Sequence, residues 1–204
     1  CGPKVWLEVS RQPPVMGNDA ISESIRLLSE GNIAAVKGLG GFHLACDATN
    51  EAAVAELRRR KGRVDKPFAL MMADVATIEH YCHVAPEERA LLESRERPIV
   101  LLRRREGVPG PIAPSVAPHQ PALGVMLPYT PLHYLLFAEG TGRPCIALVM
   151  TSGNHSEEPI ATRNDDALAR LASLADAFLL HDREIHTRTD DSVVRVFEGR
   201  ELPI

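Results

Sequence analysis

Three cations stand where a turn can aim them at one point: Lys61 and Arg63 in Lys61-Gly62-Arg63 and, just downstream, Lys66 before Pro67. Fixed cations of this kind suit a polyphosphate, because arginine offers a planar fork and lysine a compact charge. They follow Arg58, Arg59 and Arg60, which close a helical pattern and are expected to be mostly a helix end in water, where positive charge offsets the C-terminal dipole. Lys37 precedes Gly38-Leu39-Gly40-Gly41, a run that is either a tight turn or a place where backbone N–H groups approach an anion. With no G-x-x-x-x-G-K-[ST] and with His43 where a G-x-G-x-x-G would end, neither nucleotide-loop motif is present. Thr151, Ser152 and Asn154 offer neutral hydrogen-bonding groups after an apolar run. Asp190 and Asp191 lie among Arg183, Arg188 and Arg195, either as ion pairs or as groups that help position a Mg²⁺ brought by a nucleotide. His80 and His83 flank Cys82 at metal-like spacing, but no further clustered ligand supports a metal site. No activated thiol or Ser–His–Asp order stands out, so the inventory favours charge stabilisation over covalent catalysis.

The elements that must position these groups alternate. Asn18 is expected to cap a helix ending near Glu30, with Gly31 as the stop, and Asn50 a second helix stopped at Gly62. Short helices are expected near 74–82 and 86–95, another from Thr130-Pro131, and a last one opened by Asn164-Asp165-Asp166. Apolar runs at 33–38, 67–72, 98–104 and 145–150 read as buried strands, with "AFLL" and a hairpin across Glu198-Gly199 beyond them. Residues 107–124 carry five prolines without periodicity and read as an ordered, irregular surface loop. The implied class is α/β, a sheet whose faces are covered by helices. In such sheets ligands sit beyond the carboxyl ends of strands, where segments 37–43, 151–155 and 181–192 all fall.

Composition sets the frame. The 204 residues suffice for one sizeable core, and 45% hydrophobic with 25% charged residues is ordinary for a globular chain. No apolar run approaches a membrane span. Four widely spaced cysteines argue against a disulfide framework and for a reducing compartment. A net charge of −4 disfavours a general nucleic-acid binder while leaving room for a local basic cleft, and 4% aromatic residues give few stacking platforms for RNA. The chain opens on Cys1 without a Met; "CGPK" is either incidental or the last ligand of an absent zinc module.

Lys61-Gly62-Arg63, Lys66-Pro67 and Ser152-Gly153-Asn154 together resemble the K-x-R … S-x-N signature of the YrdC fold family, which includes threonylcarbamoyl-adenylate synthases of tRNA modification. With "VKGLGGFHLACDA", "LPYTPLH" and "RTDDSVVR" in order, essentially the whole chain resembles the YrdC-like domain of the HypF carbamoyltransferases of [NiFe]-hydrogenase maturation. That resemblance implies a twisted mixed sheet with a deep basic cavity, spanning 18–204 after a lead-in at 1–17. It implies an excised, cytoplasmic domain lacking its zinc-finger-like, acylphosphatase-like and Kae-like companions, and no zinc within this fragment. The implied reaction joins carbamate, derived from carbamoyl phosphate, to ATP with Mg²⁺, giving carbamoyl-adenylate and pyrophosphate; the carbamoyl group then passes to the C-terminal Cys of HypE. Carried over by position, Lys61, Arg63 and Lys66 grip phosphates, while Thr151, Ser152 and Asn154 bond phosphate or ribose. Lys37 and the turn through Gly40 to His43 hold the carbamate. Arg188, Asp191 and Arg195 line the same cavity, with Tyr129 and His133 in its wall. A threonylcarbamoyl-adenylate synthase and a basic-cavity RNA-binding module are the competing readings.

Overall fold

The computed structural model describes residues 2–110, 112–138, 145–155 and 158–204; Cys1, Ser156 and Glu157 lie outside them, and with Cys1 the zinc-module reading of "CGPK". Among the described residues one open, twisted sheet of eleven strands runs in the order β11-β10-β6-β7-β5-β8-β4-β3-β9-β1-β2. Its strands are β1 (Val5–Val9), β2 (Val15–Met16), β3 (Ala34–Lys37), β4 (Phe42–Asp47), β5 (Ala69–Met72), β6 (Ile99–Arg103), β7 (Ala122–Met126), β8 (Ala147–Ser152), β9 (Ala177–His181), β10 (Val193–Phe197) and β11 (Arg200–Pro203). Pairs β3–β9, β5–β7 and β6–β10 are parallel, and the rest are antiparallel. The expected α/β class with a mixed sheet is what forms.

Strand alternation divides the core between two faces. Val36, Met71, Met126 and Leu148 point to one face, where they meet Ile21, Ile25 and Leu28 of α1 (Gly17–Ser29) and Leu132 and Leu136 of α5 (Pro131–Leu136). Ala35, Leu44, Leu70 and Val149 point to the other, under α2 (Glu51–Lys61), α3 (Val75–Tyr81), α4 (Pro86–Glu93) and α6 (Asn164–Arg170). Asn50 caps α2 by accepting from Ala53 N, and Gly62 closes it at φ +61°, as its position predicts. Thr130 caps α5 in the same way. Among the described residues no helix is long and apolar enough to cross a membrane.

Four expectations change. Residues 5–9 pair with β9 along their whole length, so the segment read as a lead-in contributes a sheet strand. Helix α1 begins straight out of β2, with Met16 at the cap position; Asn18 already lies inside it, its carbonyl accepting from Ser22 Oγ. Residues 42–47, expected to start as turn, form a buried strand between β3 and β8. The proline-rich stretch 107–124 is not all surface loop: Ile112, Ala113, Val116 and Ala117 are buried, and 122–126 form the strand between β5 and β6. Prolines there remove donors without preventing burial, because carbonyls still pair; Val116 O accepts from Phe68 N at 2.8 Å.

Candidate functional site

Helix α2 decides the fate of the cation cluster. Val54, Leu57, Arg58 and Lys61 stand at i, i+3, i+4 and i+7, one helical face, and all four are buried. Arg58 is therefore not a solvated helix end. Its guanidinium lies 4.7 Å over the Phe68 ring and donates to five carbonyls: Ser115, Arg63, Val64, Lys66 and Val116. Three of those carbonyls belong to the turn carrying Arg63 and Lys66, so Arg58 braces that turn. Arg59 is solvated and paired with Glu56, as expected. Arg60 departs from expectation as well, being only 20% exposed and bridging Glu56 and Asp176.

Lys61 reaches across to the end of β8. Its Nζ donates to Ser152 O at 2.6 Å, Asn154 O at 2.9 Å and Asn154 Oδ1 at 3.2 Å. Burial, reinforced by Arg63 and Lys66, pulls its ammonium down to about 8. Arg63 Nη1 donates to Thr151 Oγ1 at 3.0 Å and its guanidinium stacks 4.8 Å over Phe68; burial, then Arg58, lowers it to about 10. Ser152 Oγ donates to Asn154 Oδ1 at 2.8 Å. Lys66 is exposed and close enough to act electrostatically on Lys61. Thus Lys61, Arg63, Lys66, Thr151, Ser152 and Asn154 gather at one place, from segments some ninety residues apart.

Ser152 opens onto a cavity of about 260 Å³ bordered by Gly40, His43, Tyr129, Thr189, Asp190 and Asp191. Within it Asp191 accepts from His43 Nε2 at 2.9 Å and from Tyr129 Oη at 3.0 Å. Burial alone would raise the Asp191 carboxyl; His43 and Tyr129 outweigh it and hold the group below its ordinary range. Asp191 therefore bonds His43 and Tyr129, and none of Arg183, Arg188 or Arg195 pairs with it among the described residues. His133, fully buried, sets its ring edge-on to Tyr129 at 4.5 Å with neither nitrogen bonded, and burial pulls it down to about 3. Thr189 N donates to Gly40 O at 3.2 Å, drawing the 182–192 loop over the glycine turn.

The remaining candidates lie apart. Lys37 is buried with Nζ on His181 O at 3.0 Å and borders a neighbouring cavity of about 500 Å³ beside Pro131, Leu132 and Leu135. Leu39 and Thr189 border both cavities. Arg188 is exposed on the 182–192 loop, and Arg195 lies on β10 over the Phe197 ring at 5.7 Å, away from both cavities. Arg95 and Arg97 enter the small cavity from the α4–β6 loop, as does Glu96. The sequence reading missed them; the one signal available was Pro98, which marks a break before the strand, and in the structure Arg97 there takes φ +48°. Among the described residues no group of three or more His, Cys, Asp or Glu is arranged to hold a metal. Both Asp191 oxygens are bonded, one to His43 and one to Tyr129, and Asp190 borders the same cavity.

Residues 26–203 match the Sua5/YciO/YrdC family model, described as telomere recombination. The chain belongs to this family. Among its YrdC-family relatives, carbamoyltransferase HypF2 of Cupriavidus necator is 56% identical over 89% of this chain and 24% of its own length. HypF of Rhodobacter capsulatus is 50% identical over 96% of this chain and 25% of its own. A crystal structure of full-length HypF in a phosphate- and nucleotide-bound form superposes with TM-score 0.90 at 46% identity, over all of this chain and 26% of that one. The chain thus spans about a quarter of the length of the HypF proteins it matches. Threonylcarbamoyl-AMP synthase of Bos taurus is 29% identical over 54% of this chain and 39% of its own length. The Sua5 of P. abyssi complexed with L-threonine, at 20% identity and TM-score 0.76 over 93% of this chain and 54% of that one, shares the fold.

Proposed function

We propose that this chain is the carbamoyl-adenylate-forming unit of a HypF-type carbamoyltransferase. The observation that carries the reading is the meeting of Lys61 and Arg63 with Thr151–Asn154 beside a cavity, in a chain 56% identical to a HypF protein. In the proposed step a carbamate oxygen attacks the α-phosphorus of ATP. The bond to the β-phosphate breaks, and pyrophosphate leaves with the electron pair. Carbamate is already an anion, so no general base is needed; the difficulty is bringing anions together and stabilising the leaving group. Arg63 and Lys61, fixed by burial and by β8, supply positive charge without reorganising, and Lys66 adds a solvent-side cation. A Mg²⁺ carried by ATP would neutralise phosphate charge further, with Asp190 the carboxylate at hand. Lys37, Gly40 and His43 are assigned to the carbamate side, and Arg188, exposed on the 182–192 loop, to the cavity mouth.

Carbamate derives from carbamoyl phosphate, and the carbamoyl group is destined for the C-terminal Cys of HypE, on the way to the cyanide ligands of a [NiFe] centre. Those steps belong to the acylphosphatase-like, zinc-finger-like and Kae-like portions of a longer cytoplasmic polypeptide. The test is pyrophosphate release from ATP by this chain with carbamate supplied. Arg63→Ala is expected to slow release by roughly 10²-fold, the effect of losing one charge-stabilising donor. Release that depends on threonine and ignores carbamate would move the chain to the threonylcarbamoyl branch, and parent rates in Arg63→Ala would overturn the assignment of the cluster.

A further inference from the structure

A second concentration of positive charge lies at the opposite end of β6. The small cavity touches β6 at its start, through Arg97 and through Ser192, whose carbonyl accepts from Ile99 N. Arg103, Arg104 and Arg105 lie at its far end, roughly 16 Å away at the rise of a strand. There they border a cavity of about 730 Å³ with Tyr81, His83, Val108, Ile112 and Pro121.

The three arginines stand on a fixed backbone. His83 N donates to Arg103 O at 2.8 Å, Arg105 N to Tyr81 O at 2.7 Å and Arg104 N to Pro121 O at 2.9 Å. Arg104 Nη2 is anchored on Ile112 O and Arg105 Nε on Cys82 O, which leaves both Nη groups of Arg105 free of any protein acceptor among the described residues. Six arginines elsewhere, Arg26, Arg59, Arg60, Arg89, Arg163 and Arg170, each have a carboxylate within 3 Å. Arg103, Arg104 and Arg105 have none among the described residues, in a chain with an acidic excess, and the one carboxylate bordering the cavity is Glu106. Their field is felt locally: desolvation first, then Arg103 and Arg105, hold the His83 imidazole below its ordinary range. The opposite wall is apolar and set by a turn, with Tyr81 Oη donating to Gly110 O at 3.2 Å.

We infer that this cavity is a second anion site, separate from the YrdC-family cavity, for a small organic molecule whose phosphate or carboxylate groups meet Arg103 and Arg105 and whose body lies on Tyr81, Val108 and Ile112. Unpaired guanidinium forks on a rigid platform match the geometry of either anion. The apolar wall offers contact to an organic body beyond what a bare inorganic ion would use.

The probes are inorganic pyrophosphate and citrate, titrated separately into the 204-residue chain at ionic strength held constant with NaCl and followed by amide NMR. Saturable shifts are expected at Tyr81–His83 and Arg103–Val108, and the tighter probe identifies phosphate or carboxylate as the preferred group. Arg103→Glu, a change at an exposed side chain, should weaken binding about tenfold or more, the effect of losing a charge-assisted contact. Arg103→Ala with Arg105→Ala should abolish the shifts while thermal melting stays near that of the parent chain. Arg63→Ala should leave them unchanged, so this site and the proposed carbamoyl-adenylate site fail or survive separately. Shifts no larger than those of NaCl, or shifts that persist unchanged in both arginine variants, would overturn the inference.

Discussion

Replacing Arg58 tests the structural logic of the candidate site more sharply than replacing a group that faces ligand. Its guanidinium, in a residue 8% exposed, makes five hydrogen bonds to carbonyls and covers Phe68. The five are not equal. Val116 O also accepts from Phe68 N, and Arg63, Val64 and Lys66 sit where water can replace the lost donors. The irreducible loss is the contact to Ser115, the stacking on Phe68 and the ordering of the turn. At about 1.5–3 kcal/mol for a charged hydrogen bond that water does not replace, Arg58→Ala should cost about 2–4 kcal/mol. For a chain of this size that lowers Tm by roughly 4–16 °C. Arg58→Lys should recover little, because one ammonium cannot span five carbonyls. Urea denaturation gives the stability, and nucleotide affinity measured well below both midpoints gives the second reading. Affinity should fall even where the variant is fully folded, since the turn bearing Arg63 and Lys66 has lost its brace. An Arg58→Ala chain within about 0.5 kcal/mol of the parent, the range of ordinary surface changes, would refute the bracing role.

Three further outcomes follow from the same geometry. Lys61 is charged below about pH 8 and neutral above it, so kcat/KM for pyrophosphate release should decline as pH rises through 8, and Lys61→Arg should move that limb upward. Gly40→Ala would set a Cβ 2.0 Å from Thr189 Oγ1 and 2.5 Å from Thr189 O; because one contact is backbone, the 182–192 loop must shift, seen as faster proteolysis there. Asp191 has a lowered pKa, so its stabilisation is present above 3.8 and lost as pH falls below it; the stability gap between parent and Asp191→Asn should shrink in urea titrations taken down through that range.

What the sequence made legible follows from which forces act locally. Asn50, Gly62 and Thr130 were readable because capping and left-handed turns depend on a few adjacent residues. Arg58 was misread because composition at a helix end was weighed above position; its spacing from Val54 and Leu57 placed it on the buried face all along. Strand β4 was hidden by the glycines before it and by His43 within it, and β7 by Gly124 and the prolines upstream. Both are interior strands whose stability comes from neighbours on two sides, which no local window contains. Segments 37–43, 151–155 and 181–192 were legible as loops at strand ends, and of them Gly40, Ser152, Thr189 and Asp191 border one cavity. The bonding of Asp191 to His43 and Tyr129 in place of an arginine was not legible, since it depends on register across 148 residues.

That register is what turns separate loops into one site. Strand β4 enters antiparallel between β3 and β8, setting His43 opposite Ser152. A slip of one residue would turn His43 to the other face and break its bond to Asp191. The pairing is held by close backbone approach at its open end, where Gly153 N donates to Phe42 O at 2.6 Å and a Cβ on Gly153 would come within 2.7 Å of the same oxygen. The glycine in Ser152-Gly153-Asn154 therefore has a cause of its own: without it Ser152 and Asn154 could not curl back over β4, and the carbonyls that now hold Lys61 would face elsewhere. The three-residue signature is thus one mechanical unit, in which the central residue sets the approach and the outer two present oxygen to Lys61 at the end of α2.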